Sequence, residues 1–344
     1  MNLTKSEFGK MPDGFTIHRF DLENDNGVSV SLIPYGATCI GVKTPDKAGN
    51  IDTVTLGFDT FEEYLSPHPY FGVTVGRFAN RIAFGRFELR RWTYCLAQND
   101  GANHLHGGEQ GFDKQVWNAV PFQDDGTAGV HFSYVSPDME EGYPGTLQVN
   151  TIYTLDSDNT LSIEYRALTD KPSPVNLTNH SYWNLGGAGN GTVYDHVLTL
   201  FADRYLPVTS ALIPSGEKAE VTGTPFDFTK GKRIGDDIES AGGYDHCFIL
   251  NAADTDPAPA AVLFDPGSGR KMEVFATQPG IQFYSGNFLD GMKGRDGKVY
   301  NKHGGLCLET EGYPDAVNRE SFPSAILEPG EVYSEKTVHR FSTE

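Results

Sequence analysis

A period-two alternation of apolar and polar residues runs through this chain from end to end, and it limits what the chain can fold into. Val28, Val30 and Leu32, then Val130, Phe132 and Tyr134, then Leu161, Ile163, Tyr165 and Ala167, then Val197, Thr199 and Phe201, then Met272, Val274 and Ala276 each trace one side of an extended segment. Successive side chains of a strand point to opposite faces, so each segment sends one side into a core and the other toward water or a second sheet. Between the segments stand turn signals such as Asn26-Gly27, Ala48-Gly49-Asn50, Asp125-Gly126, Gly189-Asn190-Gly191, Pro266-Gly267 and Asp296-Gly297, whose glycines accept the positive φ of tight turns. The 39 Gly, 20 Pro, 22 Phe and 16 Tyr in 344 residues suit many short strands rather than long helices. Helical spacing is confined to 60–66 and 235–240, a turn or two each. The expectation is an all-β fold, a large antiparallel β-sandwich with a few short helices.

The length would admit two or three domains, yet no linker divides the chain and no internal repeat or low-complexity segment is visible. The most breakable stretch, 251–260 (NAADTDPAPA), lies between the strand-like segments 247–250 and 261–264 and reads as a surface hairpin loop. One domain over residues 1–344 is therefore expected. Lys plus Arg number 27 against 46 Asp plus Glu, and a net charge of −19 repels phosphate backbones and anionic lipid heads. Neither nucleic acid nor membrane is an expected partner. The N-terminal MNLTKSEFGKMPDG has no apolar run for a secretory signal, and nothing approaches the ~20 apolar residues of a membrane span. Cys39, Cys95, Cys247 and Cys307 form no C-x-x-C pair, so reduced thiols and a cytoplasmic location are the simpler reading.

Five stretches are too polar for a core yet too rich in His, Asn, Gly and aromatic residues for ordinary loops. They are 76–81 (GRFANR), 103–108 (NHLHGG), 176–184 (NLTNHSYWN), 243–246 (GYDH) and 308–315 (LETEGYPD). Their amides, imidazoles, guanidinium and rings suit a ligand covered with hydroxyl groups, each of which donates and accepts and needs fixed partners of both kinds. A sugar fits. His104 and His106 have the H-x-H spacing of adjacent metal ligands on a strand, with His180, Asp245 and Glu309 available to complete a set. Two loop histidines bonded to backbone are the simpler alternative. No G-x-S-x-G elbow and no nucleotide-binding glycine loop occurs, and Cys307, within the apolar run 306–308, reads as a buried packing thiol. General acid–base chemistry by His and carboxylate remains. His180 is the candidate acid, with a structural histidine tying two strands as the alternative. Glu309 is expected at a strand end facing a cleft, and a solvated Glu at a sheet edge accounts for its position equally well.

Taken together, the strings GRFANRI (76–82), LHGG (105–108), GFDK (111–114), EGYPG (141–145), NLTNHSYWNL (176–185), YDH (244–246), QPGIQFYSGNFLDG (278–291) and LETEGYPDAVN (308–318) resemble the aldose 1-epimerases, specifically the galactose mutarotases, over nearly the whole chain. The resemblance implies a single β-supersandwich with an open cleft for a free hexose and no metal or organic cofactor. It implies His180 as general acid, Glu309 as general base, and His106 assisting at the reacting end of the sugar. Asn80, Arg81, Asp245 and Gln282 carry over as sugar-positioning residues, while His104, Arg77, Asp113, Glu141 and His246 lie beside motifs as scaffold. Ring opening to the aldehyde, rotation and reclosure would interconvert the α and β anomers of a hexose such as galactose or glucose. Monomer and homodimer are both compatible with this reading, and the preferred sugar is left open. Many relatives carry Gln and Asn where this chain has Glu311 and Gly312, and Glu311, alternating with Glu309 on a strand, would raise the pKa of the base by like-charge repulsion. Three rival readings stand beside this one. A hexose 6-phosphate epimerase would gather Arg77, Arg81 and Lys114. A glycoside hydrolase would pair Glu141 or Asp245 with Glu309. A non-catalytic carbohydrate-binding protein would use the same groups without chemistry.

Overall fold

The alternating segments become strands in the computed structural model, which describes residues 1–252 and 255–344. Three antiparallel sheets hold most of them. The first is a five-stranded meander of Asn2–Lys10, Thr16–Glu23, Ser29–Ile33, Thr38–Pro45 and Ile51–Thr53. The second has nine strands in the spatial order Asn118–Asp124, Thr127–Ser136, Leu147–Asp156, Thr160–Thr169, Tyr333–Thr343, Arg270–Ala276, Ala258–Phe264, Val197–Leu200 and Lys232–Arg233. The third has six, in the order Tyr182–Trp183, Leu306–Glu311, Gly280–Tyr284, Asp245–Ile249, Arg204–Tyr205 and Ala219–Glu220.

These sheets share one apolar core. Leu22 and Val30 of the first, Val130, Ile163 and Val274 of the second, and Phe248, Ile281, Phe283, Leu306 and Leu308 of the third belong to a single buried cluster. Every residue in that set comes from one side of its strand, as period two requires. The one α-helix among the described residues, Phe61–Leu65, falls within the expected 60–66; Thr60 N–H donates to the Glu63 carboxylate at 3.0 Å, and Phe61 and Tyr64 face inward. A single 3-10 turn, Ile234–Asp236, overlaps the expected 235–240.

Two expectations need correction. The segment 251–260 is not a hairpin loop. Asp245–Ile249 pairs within the six-stranded sheet, whereas Ala258–Phe264 pairs within the nine-stranded sheet, so the chain crosses from one sheet to the other. Adjacency of two strands in sequence carries no information about which sheet each joins; residues 253 and 254 of this segment lie outside the described residues. Glu309, in turn, stands inside the Leu306–Glu311 strand rather than at its end, and it is buried rather than solvated.

Local glycine chemistry brings two of the polar stretches together. His106 (φ 51°), Gly107 (φ 85°) and Gly108 (φ 110°) all take left-handed backbone conformations. A Cβ on Gly107 would lie 1.8 Å from the Gly76 carbonyl oxygen, so only glycine lets this turn press against the 76–81 loop.

Phe283 is fully buried and stacks on Tyr244 with ring centroids 4.8 Å apart. Phe283→Ala should destabilise the fold by about 3–5 kcal/mol, read as a lowered midpoint of urea unfolding; an unchanged midpoint would contradict a core built on this face.

Candidate active site

The face of the six-stranded sheet turned away from the core carries the polar groups. In the Leu306–Glu311 strand, Leu306 and Leu308 enter the core while Cys307, Glu309 and Glu311 point the other way. The register sets Gln282 opposite Glu309, Cys247 opposite Gln282, Tyr284 opposite Cys307, and Asp245 opposite Tyr284, so all of these share that face. Loops from elsewhere complete a cavity of about 130 Å³ that opens to solvent. Asn80, Arg81, His106, His180, Asp245, Gln282 and Glu309, every site residue expected from sequence, line it. A larger hollow of about 550 Å³, lined by Asp46, Asp52, Asp195 and Asp265 among others, contains none of them.

His180 follows the short strand Thr178–Asn179 and is locked by its own backbone: its N–H donates to Val73 O at 3.0 Å, and its carbonyl accepts from Gly72 N–H at 2.9 Å. Its Nε2 then lies 3.7 Å from Glu309 Oε1. His106 meets His180 edge to face, with ring centroids 5.1 Å apart. The Asn80 N–H donates to His106 Nδ1 at 3.2 Å, which leaves Nε2 of a neutral His106 as a hydrogen-bond donor. Gln282 Nε2 donates to Asp245 Oδ1 at 2.6 Å, and Arg81 Nε donates to Asp100 Oδ2 at 2.8 Å. Asn80 braces the rear of the site, its Nδ2 donating to Glu311 Oε1 at 2.9 Å. Gln282 Oε1 and Glu309 Oε2 are buried without a protein partner. Unsatisfied acceptors beside a cavity are places where ligand hydroxyls gain most.

Burial governs the charge states. It pushes His180 down to about 4 and lifts Glu309 well above the ordinary carboxylate range, with Glu311 and then Asp245 adding repulsion and Arg81 opposing them. Glu311 is pushed up to about 8 by burial, against the Asn80 hydrogen bond. Asp245 is raised by burial, against Arg81 and Gln282. These shifts favour a neutral imidazole beside a protonated Glu309. The ion pair expected of an acid and a base contains the same number of protons, with one of them moved from oxygen to nitrogen.

Ligating atoms of His106, His180 and Glu309 all lie within 4.8 Å of one another. The donor set does not suit a cation: Nδ1 of His106 is occupied by the Asn80 N–H, and the proton is left on Nε2. The H-x-H pair does not converge either, and the simpler alternative of two histidines bonded to backbone fits both residues. His104 turns away, Nδ1 against Ala97 O at 2.8 Å and Nε2 against Tyr143 Oη at 2.7 Å, because the left-handed backbone at His106 breaks strand alternation between the two. Glu141 accepts the backbone N–H groups of Glu109 and Gln110 and so does not face the cavity. Arg77 is buried against Pro144 O and Gly145 O, and Lys114 pairs with Asp113. Arg81 is the one cation lining the cavity among the described residues, and it is already paired.

Sequence reasoning left out Tyr70, whose ring centroid is 4.7 Å from that of His106 and 5.7 Å from that of His180, and also Tyr182, Tyr284 and Phe288. The last three sit inside the quoted motifs without an acid–base group to mark them. Tyr70 belongs to none, and its left-handed backbone (φ 60°) gives no sequence signal in a non-glycine residue.

A carboxyl group whose pKa is higher in the folded than in the unfolded chain weakens the fold as pH rises between the two values. For Glu311 that window runs from about 4.5 to about 8. Glu311→Gln keeps an acceptor for Asn80 and removes the charge, so it should stabilise the protein on the order of a few kcal/mol more at pH 8 than at pH 5. Thermal melts at the two pH values test this; an equal shift at both would remove Glu311 from the linkage.

Residues 18–340 match the family model described as Aldose 1-epimerase. The chain is 48% identical over 346 residues to galactose mutarotase of Sus scrofa, with 99% of each chain covered. It is 39% identical over 341 residues to aldose 1-epimerase of Escherichia coli (strain K12), with 97% of each covered. Among solved structures, galactose 1-epimerase from Lactobacillus acidophilus NCFM superposes with a TM-score of 0.87 at 31% identity, covering 99% of both chains.

Proposed function

The chain belongs to the aldose 1-epimerase family, and on that footing we propose that Glu309 and His180 are the two proton carriers with which it interconverts the α and β anomers of a free hexose. It is an isomerase, a mutarotase, by its full-length kinship with galactose mutarotases and aldose 1-epimerases. Galactose and glucose are the proposed substrates. The observation that carries the assignment of roles is the 3.7 Å approach of His180 Nε2 to Glu309 Oε1 inside a cavity lined by hydrogen-bonding groups.

The neutral resting pair becomes the working pair when sugar hydroxyls reach Glu309 Oε2 and Gln282 Oε1, both otherwise unsatisfied. They supply part of the solvation that burial removed, and a proton passes from Glu309 to Nε2 of His180. Glu309 then takes the proton of the anomeric hydroxyl while the imidazolium gives its Nε2 proton to the ring oxygen. The bond between C1 and the ring oxygen breaks, and C1 becomes an aldehyde. Rotation about C1–C2 presents the other face; the chain hydroxyl adds to it, His180 recovers the proton and Glu309 returns one to the new anomeric oxygen. Nothing is consumed, so no cofactor is needed. His106 offers an N–H donor at the reacting end. Asp245, Gln282, Arg81 and Asn80 hold the remaining hydroxyls, since sugar diols match carboxylate, amide and guanidinium groups.

The rivals are not favoured. Glu141 is held by backbone N–H groups, which leaves only Asp245 to pair with Glu309 for hydrolysis. The single cation in the cavity is already engaged by Asp100, a poor start for a sugar phosphate. No helix among the described residues is long and apolar enough to cross a membrane. Four free cysteines support the proposed cytoplasmic location. The shared core of the three sheets supports one domain over 1–344, and since the chain supplies the whole cavity, either a monomer or a homodimer would be competent.

Glu309→Gln should slow mutarotation, followed by polarimetry, by about 10²–10⁴-fold with galactose affinity retained. His180→Asn should act likewise, and near-parental turnover in either variant would remove that residue from the mechanism. Dialysis against EDTA should leave the rate of anomer exchange unchanged, whereas loss restored by a divalent cation would reinstate a metal.

A further inference from the structure

Cys307 fills space in the apolar run 306–308, as its sequence context suggests, but its sulfur also reaches the catalytic centre. Cys307 Sγ lies 3.5 Å from His180 Nδ1, on the side of the ring remote from Glu309. Residues 307 and 309 alternate onto the same face of one strand, so a single strand grips both nitrogens of the imidazole. Tyr182, at 5.1 Å and 31°, and Tyr70, at 5.7 Å and 30°, pack against the same ring.

We infer that the Cys307 sulfur accepts the Nδ1 proton of His180 and so holds the imidazole in the tautomer whose Nε2 faces Glu309 and the sugar. This rests on His180 being the proton carrier at the ring oxygen. If Nε2 gains and loses a proton in every turnover, Nδ1 must keep its own proton throughout and needs an acceptor in both states. Cys307 is fully buried, so the protein must supply that acceptor.

The choice of sulfur has a chemical consequence. A carboxylate at this position would stabilise the imidazolium by charge and make it a weaker acid. Burial, with Glu309 and Asp245 nearby, keeps Cys307 a neutral thiol, which orients the ring without adding charge. The ring oxygen of a hemiacetal is a very weak base, and an acid aimed at it gains from being left strong. Cys307 is therefore a positioning residue acting through His180.

Cys307→Ala and Cys307→Ser differ by one hydroxyl at nearly the same volume. The alanine variant should lose about three- to tenfold in kcat, the worth of one hydrogen bond, with KM within twofold. The serine variant should recover much of that loss. Equal kcat in the two variants, whether lowered or not, overturns the inference and leaves Cys307 a packing residue. Should both variants fail to fold, ¹⁵N NMR of the unaltered protein at neutral pH decides, because a proton on Nδ1 is expected and a proton on Nε2 overturns it. His180→Asn separates the two levels of the argument. Undiminished turnover in His180→Asn removes the acid role itself, whereas loss there, combined with indistinguishable alanine and serine variants at 307, removes only the role of the thiol.

Discussion

The alternation of side chains along the Leu306–Glu311 strand is the constraint on which the rest depends. Leu306 and Leu308 anchor it in the core shared by the three sheets, and Cys307, Glu309 and Glu311 are thereby delivered to the opposite face. A one-residue slip in register would exchange the two sets, putting carboxylates into the core and leucines into the cavity. The neighbouring strand repeats the arrangement, with Ile281 and Phe283 inward and Gln282 and Tyr284 outward. The sheet is thus both the wall of the core and the floor of the site, and the precision of the one is inherited by the other.

That inheritance has an electrostatic cost. Three carboxyl groups, Asp245, Glu309 and Glu311, are held out of water near one guanidinium that is already bound to Asp100. Each buried ion costs several kcal/mol unless it is paired or protonated, so burial raises the pKa of all three acids and lowers that of the His106 and His180 imidazoles. The same burial prepares the groups for their task. A carboxylate with a raised pKa is a stronger base toward a hydroxyl, and an imidazolium with a lowered pKa is a stronger acid toward an ether oxygen. In the proposed mechanism bound hydroxyls supply what the protein withholds, which couples substrate entry to the creation of the working charge state.

The polar groups proposed to hold the sugar are each fixed by a hydrogen bond to a neighbouring group of the chain. His106 is oriented by the Asn80 backbone, Gln282 and Asp245 by each other, Arg81 by Asp100, and Asn80 by Glu311. Glu311 is the outlier, a second acid where an amide could stand in its place. Its hydrogen bond to Asn80 would survive that replacement, but its influence on the titration of Glu309 would not.

Much was legible in the residues alone. Period two identified strands, turn glycines separated them, and motif strings picked out seven of the residues that line the cavity, because strand alternation and motif chemistry are local properties. The exceptions were matters of distance. The segment 251–260 looked like a hairpin because sequence proximity does not reveal that its flanking strands join different sheets. His104 looked like a partner of His106 until the left-handed backbone at 106 turned the two apart, and Tyr70 carried no motif at all. The amino-acid sequence by itself determined which groups could carry protons and where most strands would run, though at 197–201 the buried face is Leu198 and Leu200 and not Val197, Thr199 and Phe201. Only the tertiary structure decided that Glu309 and His180 meet at 3.7 Å, that Cys307 stands behind the ring, and that burial holds the resting pair neutral. The reason is that desolvation and through-space contact are set by what surrounds a group in three dimensions, not by its neighbours along the chain.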